Sequence, residues 1–241
     1  MASIKEILEN QKFYPGILGV FINPFFFARR ELMKNIKEHS DIVHGKLLDV
    51  GCGRKPYRKL LKNVTEYIGM DIENPGHDHS EENIDVFYDG KTFPFPDNTF
   101  DSVLTNQVFE HVFNPTEFMS EINRVLKPNG CLLLTVPFVW DEHEQPFDYG
   151  RYSSFGIKHI LEQNHFVMFR YSKSCQGIKA VMQLVNLNIY KKFFSKNRYK
   201  NLALTVLFIS PFTILGIILS WFGKANPDLF LDNVVLARKV S

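Results

Sequence analysis

Short apolar runs recur along this chain, and three of them end on glycine, amide or acidic residues. Leu47 to Val50 runs into Gly51, Cys52 and Gly53, Tyr67 to Met70 into Asp71, and Phe100 to Thr105 into Asn106 and Gln107. Ile84 to Phe87, Cys131 to Val136, His165 to Tyr171 and Val234 to Ala237 complete the set. Unbroken apolar runs of this length predict strands, most of them buried on both faces. Between them the spacing turns helical. Glu117, Phe118, Ile122 and Val125 predict a helix over 115–126, stopped by Lys127, Pro128, Asn129 and Gly130. Helices are also predicted over 3–10 with Ser3 as N-cap, over 31–39 and over 153–163, and Pro56 is suited to open one after the glycine turn. Strands alternating with helices argue a parallel α/β sheet.

Two apolar stretches fall outside that alternation. Tyr14 to Phe27 is interrupted by Pro15, Gly16 and Pro24, so it cannot be one long helix. It reads either as a lid on the core or as a segment that gates substrate or touches a membrane. Residues 201–223 carry no charge, with Pro211 near the middle and Trp221 close to the end. Lys191, Lys192, Lys196, Arg198 and Lys200 precede them, interleaved with Phe193, Phe194 and Tyr199. Basic residues beside an apolar helix suit an anionic membrane surface. A buried cap or an oligomer contact is the other reading.

Composition narrows the class without naming it. The chain has 241 residues, 45% hydrophobic and 22% charged, enough for one large core with an elaboration. A net charge of +2 gives no general case for nucleic acid, and none is expected as a partner. Cys52, Cys131 and Cys175 are widely spaced and odd in number, which fits a reducing, cytoplasmic compartment. His77, Asp78 and His79 sit in a polar, turn-like stretch that reads as a solvated loop, and no metal is expected there.

The glycine turn carries the chemistry. A short apolar strand, then Gly51, Cys52 and Gly53, lets backbone N–H groups approach a ligand closely. The dinucleotide fingerprint needs a third glycine where this chain has Pro56, and no phosphate-loop lysine follows. Asp49, just before the turn, can hold the loop or meet a cationic ligand group. Asp71, about twenty residues on, stands where a carboxylate can accept both hydroxyls of a ribose. Asn106 and Gln107 lie at a strand's carboxyl end, the edge where open α/β sheets bind ligands.

Together LLDVGCG, YIGMDIE, FPFPDNTFD, QVFEHV and EINRVLKPNGCLLLTVP resemble the class I S-adenosylmethionine-dependent methyltransferases of the type 11 group. The likeness covers residues 45–172 and the final strand. It implies a Rossmann-like sheet of seven strands, mostly parallel with an antiparallel last strand, and helices on both faces. It further implies that Asp49, Gly51, Cys52 and Gly53 line the methionine moiety, Asp71 and Ile72 the ribose, and Asp89 and Gly90 the adenine. Asn106 and Gln107 would form the cofactor floor. The expected division is an N-terminal lid over 1–44, a cofactor-binding core over 45–173, an apolar helical insertion over 174–228 and a final core strand over 229–241. Because that insertion separates two strands of one sheet, a single membrane crossing would tear them apart. A Pro-broken helical hairpin or an interfacial helix, lying on the inner face of a membrane and touching it through 191–223, avoids this.

The stretch from Val139 to Ser153 crowds ionisable and aromatic groups into a loop at the ligand edge. It resembles a pattern found in methyltransferases near bacterial glycan and glycolipid clusters. His143 is the candidate base, with Asp148 and Arg151 orienting it or binding substrate, and with Tyr149 and Tyr152 as further substrate contacts. His111, beside Glu110, is either a second acid–base group or a hydrogen-bonded turn residue. An Asp148–Arg151 ion pair that merely pins the loop stays open. The expected activity is O-methylation of a lipid-linked or amphiphilic acceptor, a glycan precursor first. A quinone or lipid methyltransferase, a soluble small-molecule methyltransferase and a cofactor-binding protein without turnover are the alternatives.

Overall fold

A computed structural model describes residues 4–72 and 83–240. The strands are β1 (His44–Val50), β2 (Asn63–Ile72), β3 (Val86–Tyr88), β4 (Phe100–Asn106), β5 (Leu126–Pro137), β6 (Phe166–Ser174) and β7 (Asp232–Lys239). They form one seven-stranded sheet in the order β3-β2-β1-β4-β5-β7-β6. The pairs β1–β2, β1–β4, β2–β3 and β4–β5 are parallel, and β5–β7 is antiparallel. The fold is the mixed, Rossmann-like α/β sheet that the strand pattern implies. Leu47, Leu48, Val50, Val103, Leu132 to Leu134 and Val234 to Leu236 are wholly buried, which is why these strands read as unbroken apolar runs.

Register decides where the ligand edge lies. Val50 pairs with Met70 on one side and Thr105 on the other, so β1, β2 and β4 end level. Asp71 pairs with Phe87, and Asn106 with Thr135. The glycine turn, Asp71 and Asn106 therefore share one edge of the sheet.

The helices are α1 (Ile4–Phe13), α2 (Gly19–Ile22), α3 (Phe26–His39), α4 (Pro115–Val125), α5 (Ser154–Gln163), α6 (Ile178–Phe193), α7 (Arg198–Leu204) and α8 (Ser210–Leu219). In α4, Phe118, Met119, Ile122 and Val125 are buried at helical spacing. Arg124 on the same helix clamps the FPFPD run, donating to the Phe93 and Phe95 carbonyls and to Asp97 at 2.8–2.9 Å. That motif belongs to the core, with Phe93 and Phe100 buried.

The structure corrects three expectations. No α-helix opens at Pro56: the chain makes only a 3-10 turn at Arg58–Leu60 before β2 begins at Asn63 rather than near Tyr67. Lys55 in the left-handed region and buried Tyr57 hold the chain in a tight path that leaves no length for a helix. The Lys127–Gly130 stop lies inside β5, which starts at Leu126. The apolar insertion is not a Pro-broken hairpin either. A π-helical turn at Thr205–Ile209 joins α7 to α8, so helix runs from Arg198 to Leu219. The wider turn accommodates the missing N–H of Pro211 at the start of α8. Ser3, expected as the first N-cap, lies outside the described residues.

The contacts gather the chain into two units, one of Met1–Lys34 with Lys173–Leu231, the other of Asn35–Ser172 with Asp232–Ser241. The N-terminal segment and the insertion, separate pieces in the sequence reading, thus make one helical unit. Within it Gln183 accepts from the N–H groups of Phe27 and Ala28 and donates to the Pro24 carbonyl. A Cβ on Gly216 would stand 2.8 Å from Phe27 Cζ and 2.9 Å from Met182 Cγ, so close packing at α8 requires glycine there. The other unit holds the sheet, its core and every candidate site residue.

Candidate functional site

Gly51 leaves β1 at φ +70°, and a Cβ there would lie 2.2 Å from Val108 Cγ2. Backbone conformation and crowding both demand glycine. The turn is tied to β2: Gly51 N–H and Cys52 N–H donate to the Met70 carbonyl, and Gly53 N–H donates to Asp71 Oδ2 at 2.9 Å. Asp71 Oδ1 accepts from Ile72 N–H, and the Ile72 side chain is exposed beside Gly90. Cys52 is buried, and burial pushes its thiol well above the ordinary range, so it fills space rather than reacts.

Asp49 is buried and accepts a hydrogen bond from the Tyr67 hydroxyl. Burial pushes its carboxyl up to about 7, against the pull of that hydrogen bond. Asp89, expected at the adenine, closes a turn: its Oδ1 accepts from Lys91 and Thr92 N–H at 2.8 and 3.0 Å. Those N–H groups hold its carboxyl below the usual range. Asn106 Oδ1 accepts from the Thr135 hydroxyl at 2.9 Å, and Gln107, at φ +57°, donates its backbone N–H to the Thr135 carbonyl. Both amides are thereby fixed at the carboxyl end of β4.

Val108, which crowds Gly51, leads directly into a 3-10 turn, Phe109–His111. The loop after β5 is stapled to that turn by Tyr149 and Gly150 N–H groups, which donate to the Glu110 carbonyl at 2.8 and 3.1 Å. This brings His143 to His111, their rings 4.7 Å apart and edge to face. His143 Nδ1 lies 3.2 Å from Asp148 Oδ2, and Asp148 also accepts His143 N–H at 2.9 Å. Arg151 grips Asp148 at 2.6 and 2.7 Å and donates to the Gly150 and Asp141 carbonyls. Burial alone would raise the Asp148 carboxyl, but the Arg151 and His143 hydrogen bonds take it down to about 2.

The structure thus brings together His111, His143, Asp148 and Arg151. The Arg151 guanidinium binds the loop itself, as the pinning ion pair requires. Tyr149 is exposed and meets Phe113 edge to face, whereas Tyr152 packs on Phe109 at 5.0 Å and belongs to the core side of the loop. The expected metal-free triplet His77, Asp78 and His79 lies outside the described residues.

Two groups escaped the sequence reading. Lys55, nearly buried, pairs with Asp85 at 2.5 Å, and Asp85 also accepts Gly69 N–H. Glu110 is wholly buried, and burial raises its carboxyl to about 8. Its Oε1 stands 3.9 Å from Nε2 of both His111 and His143, and these three residues could hold a metal ion. The FEH triplet was visible in the chain. Its meeting with His143 was not, because no fixed spacing links them.

Residues 48–134 match the family Methyltransf_11, described as a methyltransferase domain. Fatty-acid O-methyltransferase of Mycolicibacterium smegmatis is 30% identical over 115 residues, 44% of this chain and 42% of that one. The human mitochondrial ubiquinone biosynthesis O-methyltransferase is 31% identical over 131 residues, 45% of this chain and 34% of that one. The chain therefore spans less than half the length of either relative. Haemonchus contortus phosphoethanolamine N-methyltransferase 2, solved with S-adenosyl-L-methionine, shares the fold at a TM-score of 0.55 and 18% identity, covering 100% of this chain and 61% of that one. Over residues 48–134 the chain is thus similar to methyltransferase domains.

Proposed function

We propose that this chain is an S-adenosylmethionine-dependent methyltransferase that methylates a hydroxyl of an amphiphilic or lipid-linked acceptor at the cytosolic face of a membrane. One observation carries the catalytic part. The Gly51–Gly53 turn is tied to Asp71 at the level ends of β1 and β2, and Val108 passes from that turn directly to the Glu110–His111–His143 cluster. Cofactor at the turn and acceptor at the cluster would then be neighbours.

Methyl transfer from a sulfonium is an in-line displacement: the oxygen–carbon bond forms as the sulfur–carbon bond breaks. Alignment supplies most of the acceleration. The acceptor hydroxyl must also lose its proton, and it does so at the cluster, where Asp148 and Arg151 hold His143 in place. Asp71 and Ile72 would line the ribose, Asp89 and Gly90 the adenine, and ionised Asp49 would face the cationic methionine end.

The acceptor class rests on the helical unit. Leu207 and Phe208 are 65% and 60% exposed, and Trp221 and Phe222 are each 75% exposed. Lys191, Lys192, Lys196, Arg198 and Lys200 are exposed as well. An apolar patch with a basic border suits an anionic lipid surface. The helix from Arg198 to Leu219 is long and apolar enough to cross a bilayer. Yet the chain leaves β6 and returns to β7 of the same sheet, so the helix lies within one leaflet rather than crossing. The same unit holds an open cavity of about 220 Å³, lined by Ile17, Val20, Phe27 and Trp221 and by Arg30, Lys34, Lys179 and Glu31, with the Glu31 carboxylate pairing with both lysines. Relatives named for fatty-acid and ubiquinone-pathway O-methylation support an apolar oxygen acceptor. A sugar hydroxyl of a lipid-linked glycan precursor is the first candidate.

Calorimetry with S-adenosylmethionine tests the cofactor half: the wild type binds, and Asp71→Ala weakens binding at least tenfold, about 1.4 kcal/mol. Turnover tests the acceptor half, since His143→Ala should lose activity at unchanged cofactor affinity. Wild-type turnover in that variant removes His143 from the chemistry.

A further inference from the structure

We infer that Glu110, His111 and His143 bind a divalent transition-metal ion. One donor atom from each residue lies within 4.8 Å of the other two. Glu110 Oε1 stands 3.9 Å from each imidazole Nε2, too far for a hydrogen bond. The carboxylate faces both rings and touches neither. Glu110 is wholly buried, and both of its oxygens and His111 Nε2 lack a hydrogen-bond partner. Buried polar atoms are paired as a rule, and an orphaned set points to something between them.

The donor set says what. Two imidazole nitrogens and one carboxylate oxygen are the ligands of His₂Glu zinc sites and of the facial triads that take iron(II). Ligands about 2.0–2.1 Å from a tetrahedral ion lie about 3.4 Å apart, so closing on one asks each Glu110–imidazole pair, now at 3.9 Å, to draw in by roughly half an ångström, and the two imidazoles, whose donor atoms lie within 4.8 Å of each other, to draw in by up to about 1.4 Å.

The outer contacts agree. His111 Nδ1 is 2.7 Å from the Phe147 carbonyl, and His143 Nδ1 is 3.1 Å from the Asp141 carbonyl and 3.2 Å from Asp148. Each ring has its Nδ1–H engaged, which leaves the Nε2 lone pair facing Glu110. Metal-bound histidines are held in this way by carbonyls and carboxylates. Glu144 Oε2, 3.8 Å from His111 Nε2 and exposed, offers a further oxygen on the solvent side.

The inference rests on reading this cluster as the acceptor end of the site, and it assigns His143 its part there. The acceptor hydroxyl binds the ion, which lowers its pKa. Its proton passes to water, and the oxygen takes the methyl group as the sulfonium sulfur leaves as a neutral thioether. His143 then holds the ion rather than the proton.

Cobalt(II), titrated into chelator-stripped full-length protein and followed by visible absorption, reads the site without any turnover. The expected result is about one ion per chain, with d–d bands lost in Glu110→Gln and His143→Ala and kept in a His77→Ala/His79→Ala variant. Asp148→Asn should weaken binding about 10- to 100-fold. Bands that survive in Glu110→Gln and His143→Ala, or that vanish with the His77/His79 variant, overturn the inference, as does the lack of any bands. Cofactor binding measured on the same samples keeps the two readings apart. Protein that binds S-adenosylmethionine but no cobalt refutes the ion alone, and protein that binds cobalt but no cofactor refutes the methyltransferase reading.

Discussion

At Asp49 burial and the proposed role beside a cationic ligand pull in opposite directions. The carboxyl is enclosed beside Tyr67 and titrates near 7 rather than near 4. A folded-state pKa raised above its unfolded value stabilises the fold below the unfolded pKa, and that stability is lost as pH rises through about 7. Melting without cofactor should therefore show the wild type losing stability from pH 5 to pH 8 relative to Asp49→Asn. A cationic ligand favours the ionised form, so S-adenosylmethionine should bind the wild type more tightly as pH rises through about 7. Asp49→Asn should lose that dependence. Gly51 makes a second residue-level case. Ala there meets both the left-handed backbone and Val108, and Gly51→Ala should cost about 2 kcal/mol or more in urea melts. Val108→Ala should recover only part, since it relieves the clash and not the backbone.

Among the elements, those fixed by local pattern were legible and those fixed by distant partners were not. β1, β4 and β7 announce themselves because both faces are buried, so Leu47–Val50, Val103–Leu104 and Val234–Leu236 need no alternation. α4 shows its buried face at regular spacing and is bounded by Pro115. The absent helix after Pro56 depends on Lys55 reaching Asp85, thirty residues on, which nothing local reveals. Glu110 was legible as part of a motif but not as an orphaned buried acid, because its burial is a property of the packed sheet. The same holds for the insertion, where the π turn before Pro211 preserves a helix that the proline alone would interrupt. Within the helical unit, Asn186 Nδ2 donates to Thr213 Oγ1 at 2.9 Å, with both residues buried. Thr213→Val strands that donor and should cost about 1–3 kcal/mol, read from thermal or urea unfolding.

For the whole molecule, the division runs between a sheet unit that holds the candidate site and a helical unit that carries the exposed apolar residues Leu207, Phe208, Trp221 and Phe222. If lipid is what that surface meets, the purified chain floats with vesicles containing anionic lipid, and does so less at high salt because the basic residues contribute. Serine at Leu207, Phe208, Trp221 and Phe222 together should abolish flotation while leaving S-adenosylmethionine binding intact. Wild-type protein that stays at the bottom of the gradient would make the patch a contact between copies of the chain.

Methyl transfer to an amphiphile is the central claim, and one measurement meets it directly. Purified protein is incubated with S-adenosylmethionine radiolabelled in its methyl group and with cell extract, which is then divided into organic and aqueous fractions. The account predicts protein-dependent label in the organic fraction, lost in Asp71→Ala and in His143→Ala. Label confined to water-soluble material contradicts the amphiphilic acceptor, and cofactor bound with no label transferred to either fraction contradicts the enzyme itself.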